Sequence, residues 1–288
     1  MNVELCSLAM GSKESALAAT SALQNSAAQG TWLLIKNVHL DITWLESLEK
    51  RLATIRCKSS FRLLLTTESA EKLPVSLLAR SRLFMCEPPA GVKDNLMHCL
   101  SNMSVSEELK TPAELMRVYF LASWLYAIIR GRLKYLPQGW SKPYGFATAD
   151  FEFAKDIIIS EVKTIAKGRE NVAPDRLPWK RLRALLLYTC FGNVIDISDD
   201  LKTLQEIIDS LFVADAFSPK FALVDGNQPV YIADGTQQKS FMQWAENLPD
   251  TESPTWLRLP PSSESQRLAR EMQSIVDRAN ELRDFMLD

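Results

Sequence analysis

Thr31-Trp32-Leu33-Leu34-Ile35-Lys36-Asn37 is the stretch on which the fold turns. A short apolar run flanked by Gly30 and Asn37 predicts a fully buried strand of a parallel sheet. Upstream, residues 12–29 are rich in Ala and Ser and end at Gly30, the pattern of a helix stopped by a left-handed cap. Downstream, Thr43-Trp44-Leu45-Glu46 predicts a capping box that opens a helix to about Ile55, the Thr hydroxyl and the Glu carboxylate each satisfying the other's backbone donor. A second buried strand is expected at 61–66, and a third, shorter one at Leu83-Phe84-Met85-Cys86, stopped by Pro88-Pro89. Strand, helix, strand, short helix, strand is α/β winding.

After Pro89 the apolar residues recur at helical spacing. Thr111-Pro112-Ala113-Glu114 combines a capping box with proline at the first helical position, and the helix it starts should run to about Tyr135, ended by Pro137 and Gly139. Further helices are expected at 149–166, 178–190 and 199–213, the last with Ser198 as N-cap. From Phe217 the pattern changes again. Phe221-Ala222-Leu223-Val224 and Pro229-Val230-Tyr231-Ile232 around Asp225-Gly226 predict a β-hairpin, followed by a short helix near 237–247 and a pinned connection at 254–261. An amphipathic helix from Ser263 to the end carries Leu268, Met272, Ile275 and Leu282 on one stripe. No internal repeat is present.

Composition narrows the function. With 33 basic against 35 acidic residues, the net charge of −2 lacks the bias that draws a protein to nucleic acid or to anionic lipid, so neither is an expected partner. Five widely spaced cysteines without a CxxC pair read as buried thiols of a reducing compartment. The longest apolar stretch, Val118 to Ile129, is too short to span a bilayer, and the N-terminus with Glu4 lacks the basic region of a signal peptide. A soluble intracellular chain of 288 residues, folded as two or three units, is expected.

Phosphate chemistry leaves a mark that this sequence lacks. None of the ten glycines begins GxxxxGK[ST], and Gly11-Ser12-Lys13 has only a superficial likeness to that loop. The end of the strand at 32–35 is where acids would hold Mg²⁺ and polarise an attacking water, yet it carries Lys36 and Asn37. An ordinary buried strand and a degenerate Walker B strand both predict no turnover there. Arg80 and Arg82 stand where an arginine could reach a neighbouring subunit's phosphate, although solvated or ion-paired surface arginines are the commoner outcome. His39 and His98 are far apart and no HExxH or GxSxG occurs, so no metal or nucleophile site is expected. Lys180, Arg181 and Arg183 beside Trp179 suggest a solvated or docking face rather than an RNA site.

The segments GTWLLIKNVHLDITWLESLEKRL (30–52), FRLLLTTES (61–69) and LPVSLLARSRLFMCEPPAGVKDNL (73–96) closely resemble the sixth AAA+ module of dynein heavy chains. YFLASWLYAIIRGRLKYLPQGWSKPYGF (119–146) resembles the lid pattern of that family, CFGNVID (190–196) its YGGRV turn, and Ala233-Asp234-Gly235 with 241–264 its cytoplasmic-type continuation. The resemblance covers nearly the whole chain in order. It departs from the family at Asn193 and Val194, which replace the second glycine and the arginine of the lid turn.

The resemblance implies a partial AAA+ P-loop-type parallel sheet in residues 1–103, representing the second half of a degenerate large subdomain whose phosphate-loop counterpart would lie upstream. It implies a helical lid in 104–214 and, in 215–288, a hairpin, linker and helix that begin the C-terminal region. It further implies a ring of modules in which ATP and Mg²⁺ belong to other members, this one binding no cofactor. Lys36 and Asn37 would then mark a degenerate Walker B position, and Arg80 or Arg82 a vestigial arginine finger. The partners implied are neighbouring AAA+ modules of the same chain and, through the parent motor, the microtubule and accessory chains. The alternatives are a self-contained helical interaction scaffold and an ATPase with a non-standard site. An incomplete sheet would also leave an unpaired edge, making the chain alone marginally stable or self-associating.

Overall fold

The structure, a computed structural model, describes residues 4–68, 72–85, 89, 91–103, 112–226, 229–235 and 237–287. The chain divides into two compact units, residues 1–87 and 88–288.

The first unit runs β1 (Leu5–Ala9), α1 (Lys13–Gln29), β2 (Trp32–Lys36), α2 (Ile42–Thr54), β3 (Arg62–Leu65) and α3 (Val75–Arg80). Its three strands form a parallel sheet in the order β1-β2-β3, with Leu5 beside Trp32 and Trp32 beside Arg62. α1 ends as expected at Gly30 in the left-handed region, its N–H donating to the Ser26 carbonyl at 2.8 Å. The structure departs from the sequence reading at several points. β1 was not anticipated, and Leu83, Phe84 and Met85 form no strand, since an apolar run becomes a strand only when a neighbouring backbone accepts its hydrogen bonds. Cys86 lies outside the described residues. The cap of α2 also differs: Asp41, not Thr43, accepts the N–H of Trp44 at 2.9 Å, and the Thr43 hydroxyl donates to Asp41.

β2 is buried on one face rather than on both. Leu33 and Ile35 are sealed, in one cluster with Leu23 and Ala27 of α1 and Leu45 and Leu48 of α2. The Trp44 indole N–H, bonded to the Thr20 hydroxyl at 3.1 Å, ties the two helices together. Since side chains alternate along a strand, Leu5, Trp32 and Leu64 line the opposite face, where they are 52%, 37% and 41% exposed.

The second unit contains α4 (Val92–Ser101), α5 (Glu114–Gly131), α6 (Thr148–Ala166), α7 (Trp179–Leu185), α8 (Ser198–Leu211), α9 (Gln238–Glu246) and α10 (Ser262–Leu287). A hairpin of β4 (Ala222–Val224) and β5 (Val230–Tyr231) precedes α9, as the sequence predicts. α5 is the axis of this unit: every residue but Glu114 and Arg130 is buried, and it packs on α4, α6 and α8. A helix apolar on all sides has no solvent face to present and has to lie inside a helical body. α7 passes into a π-helical turn at Leu186–Phe191. Ser198 is the first residue of α8 rather than its cap; Ile197 occupies the cap position without a side-chain bond. Thr111, the expected cap of α5, lies outside the described residues. Among the described residues, no helix is long and apolar enough to cross a membrane.

Candidate functional site

In an open α/β sheet, ligands bind beyond the carboxyl ends of the strands. Here that edge consists of Met10-Gly11-Ser12 after β1, Lys36-Asn37 after β2 and Thr66-Thr67-Glu68 after β3. Asn37 adopts the left-handed conformation (φ 57°, ψ 43°) that its short polar side chain tolerates. Its N–H donates to the Thr66 hydroxyl at 3.1 Å, while the Val38 N–H donates to the Thr66 carbonyl and the Met10 N–H to the Lys36 carbonyl. His39 accepts the Glu68 N–H at 3.2 Å through Nδ1, and its Nε2 stands 3.9 Å from the Glu68 carboxylate. The strand ends are thus tied to one another through backbone and small polar groups.

The start of α1 has the strand-turn-helix form that elsewhere offers backbone N–H groups to phosphate. Three of the N–H groups there are already engaged. The Gly11 and Ser12 N–H groups donate to the Ser15 hydroxyl at 3.2 and 3.0 Å, and the Ser15 N–H donates to the Ser12 hydroxyl at 3.2 Å. The nearest acid after β2 is Asp41, whose hydrogen bonds from Thr43 and Trp44 hold its carboxyl below the usual carboxylate range and commit it to capping α2. Arg80, at the end of α3, points to Glu49 of α2 at 3.9 Å and is largely exposed; Arg82 lies exposed in the following segment. No hydrogen bond or ion pair among the described residues joins either arginine to Lys36 or Asn37. Among those residues, no three His, Cys, Asp or Glu side chains gather as metal ligands.

The second unit holds a polar lock around Pro137–Phe146. Gly139 is obligatory there, because a Cβ at that position would lie 2.0 Å from the Arg132 carbonyl oxygen. That close approach seats Trp140, whose indole N–H donates to the Ile129 carbonyl at 2.8 Å and whose ring lies 5.0 Å from the Arg132 guanidinium. Arg132 is itself buried, donating to the Gly139 and Leu257 carbonyls. Burial pushes its pKa down to about 10, with Asp200 opposing the shift. Asp200, buried at the start of α8, accepts the Ser141 N–H at 3.0 Å, the Ser141 hydroxyl at 3.1 Å and the Tyr144 hydroxyl at 2.7 Å. The lock fastens the end of α5 to α8 and to the segment before α10. In the turn at 190–196, Gly192 passes within contact of the Leu187 carbonyl, Asn193 is exposed, and Val194 packs against the helical core instead of presenting a charge.

Arg132 and Asp200 escape sequence reasoning, since nothing local distinguishes a buried charge from a solvated one. The only signal for them is their setting beside the Gly-Trp and Tyr-x-Phe residues.

Comparison with known proteins assigns both units. Residues 1–85 match the dynein heavy chain region D6 P-loop domain, and residues 115–263 match the dynein heavy chain AAA lid domain. The chain is 38% identical over 284 residues to a cytoplasmic dynein heavy chain of Drosophila melanogaster, covering 96% of this chain and 6% of that one. It is 40% identical over 271 residues to one of Dictyostelium discoideum, covering 94% and 6%. With the cytoplasmic dynein 2 heavy chain 1 of Chlamydomonas reinhardtii it shares 32% over 256 residues, covering 88% and 6%. The chain therefore spans about 6% of the length of the curated relatives it matches. Carrying a partial AAA+ P-loop-type sheet and an AAA lid in one continuous match, the chain belongs to the dynein heavy chain family.

Proposed function

We propose that this chain is a structural, force-transmitting AAA+ module of a cytoplasmic motor that moves along microtubules, and that it does not itself hydrolyse ATP. The observation that carries this reading is the state of the strand edge. Lys36 and Asn37, at the end of β2, bring no carboxylate to what we read as the Walker B position, and the Gly11, Ser12 and Ser15 N–H groups at the start of α1 are taken up by the Ser12 and Ser15 hydroxyls. Phosphoryl transfer depends on metal, an oriented water and donors free for the phosphate oxygens, and neither a lysine nor an asparagine supplies the carboxylate that would help hold the metal and polarise the water. ATP and Mg²⁺ then belong to other modules of the parent, which would be the ATPase. Arg80 and Arg82 are read as remnants of a finger.

In this reading the helical unit docks on neighbouring modules and passes their rigid-body movement onward. The lock at Arg132, Trp140 and Asp200 keeps α5, α8 and the segment before α10 moving as one piece. Residues 1–103 represent part of the large subdomain, 104–214 the lid, and 215–288 the start of the region beyond it. Microtubule and accessory-chain contacts are made through the parent protein in the cytoplasm, with no membrane or nucleic acid involved.

The test is titration of the purified chain with a fluorescent ATP analogue, paired with phosphate release in the presence of Mg²⁺. Neither saturable binding nor turnover is expected. Saturable binding with Mg²⁺-dependent turnover would overturn the proposal in favour of a non-standard ATPase site.

A further inference from the structure

α10 is fastened to its unit through its first turns. Ser263 is buried, the Tyr135 hydroxyl donates to Glu264 at 2.7 Å, Gln138 bonds Gln266, and Arg267 pairs with Glu264. From Leu268 to Asn280 every residue is exposed, over about 20 Å of helix. Leu268, Met272 and Ile275 are 45%, 67% and 68% exposed, and with Ala279 they recur at spacings of four, three and four. This is the seam of a coiled coil, and the sequence carries the spacing on to Leu282 and Met286. A solvated helix face has no reason to hold such a row.

The flanks of the seam indicate what covers it. Glu271 and Arg278 each stand one residue before a seam position, Met272 and Ala279, on one flank; Ala269 and Val276 form the other. Arg278 has no ion-pair partner among the described residues of its own chain, and Glu271 only shares Arg267 with Glu264. We propose that this seam pairs with the same seam of a second copy of the chain, antiparallel, about a two-fold axis between Gln273 and Ser274.

In that register Leu268 packs on Ala279 and Met272 on Ile275 of the second copy. Glu271 meets Arg278 twice, once on each side of the axis, and Ala269 meets Val276 twice. A parallel pairing in register would instead set Arg278 against Arg283 and Glu271 against Val276, a like-charge contact and a carboxylate facing an apolar group. The interface is self-complementary, as a two-fold dimer requires. Its short length puts it at the small end of specific interfaces, so association in the micromolar range is expected.

Sedimentation of the whole chain across the micromolar range tests this. The expected result is a concentration-dependent dimer that Met272→Lys/Ile275→Lys abolishes, with helicity by circular dichroism unchanged. Glu271→Arg and Arg278→Glu should each weaken the dimer about tenfold, and their combination should restore it. A chain that stays monomeric throughout overturns the proposal. So does a dimer indifferent to Met272→Lys/Ile275→Lys, which would place association on another surface such as the open sheet. Failure of the charge-swapped double variant to recover would overturn the antiparallel register.

Discussion

The two units bury their apolar residues to very different degrees. In the helical unit, α5 is buried at every residue but Glu114 and Arg130, and the two buried arginines of the unit have found carbonyl acceptors: Arg117 donates to the Ala216 and Ser218 carbonyls and Arg132 to those of Gly139 and Leu257. In the α/β unit one face of the sheet is packed, while Leu5, Trp32 and Leu64 on the other meet solvent and no residue of β3 is fully buried. A parallel sheet is normally covered on both faces, so the α/β unit reads as a body whose sheet needs a neighbour, whereas the helical core around α5 is complete in itself and, among the described residues, the unit exposes its apolar row only on α10. This contrast suits the role proposed above, of a module that takes its place in a larger assembly and hands movement on through a stiff helical part.

The contrast should break most severely at Trp140. Trp140→Ala removes a buried indole and leaves Arg132 without its aromatic cover, at a cost of about 3–5 kcal/mol to the helical unit. Thiol labelling can read the two units separately. Cys6 and Cys57 are exposed in the α/β unit, whereas Cys99 and Cys190 are buried in the helical one, where burial pushes both thiols up to about 12. In the native chain, alkylation resolved by mass spectrometry should mark Cys6 and Cys57 quickly and Cys99 and Cys190 slowly. Trp140→Ala should make the second pair reactive at a temperature where the wild-type chain still protects it.

Asp200→Ala is the next test in size. It strips three donors, the Ser141 N–H, the Ser141 hydroxyl and the Tyr144 hydroxyl, of one buried acceptor, and should cost about 2–3 kcal/mol by chemical denaturation. A smaller effect is expected in the other unit. Asp41→Ala should lower the stability of the α/β unit by about 1 kcal/mol through loss of the α2 cap. The Asp41 pKa is lower in the folded chain than its ordinary 3.8, so its contribution is complete above that value and fades as the pH falls through the folded pKa. Acid should therefore erase the difference between the wild type and Asp41→Ala.

The smallest effect on stability is expected at the open face. Leu64→Lys, at a half-exposed site, should change the unfolding free energy by less than about 0.5 kcal/mol while raising solubility at high concentration. Light scattering would check this. A marked loss of stability instead would show that this face is packed within the unit after all.

Much of this was legible in the chain. α1 with its glycine cap, β2, β3, the helical run from α5 to α8 and the hairpin follow from apolar spacing and turn residues, which are local signals. β1 escaped because Leu5-Cys6-Ser7-Leu8-Ala9 lacks a long apolar run and is made a strand by pairing with β2. Leu83-Phe84-Met85 misled for the converse reason, having strand character without a strand beside it. The cap of α2 was misplaced because Thr43 and Asp41 both lie within reach of the first turn, and the carboxylate won. At the strand edge, the lack of acids at Lys36 and Asn37 could be read directly. The closing of the α1 donors by Ser12 and Ser15 could not, as it depends on β1 leading into that turn.

Hydrogen exchange on the whole chain, with and without Mg²⁺ and ATP, tests the central claim most directly. The account predicts strong protection along α5, weak protection along β3, and no change at Gly11–Ser15 or Lys36–Asn37 when nucleotide is added. Nucleotide-dependent slowing of exchange at those two segments would contradict it, because it would mean that the strand edge still receives a phosphate.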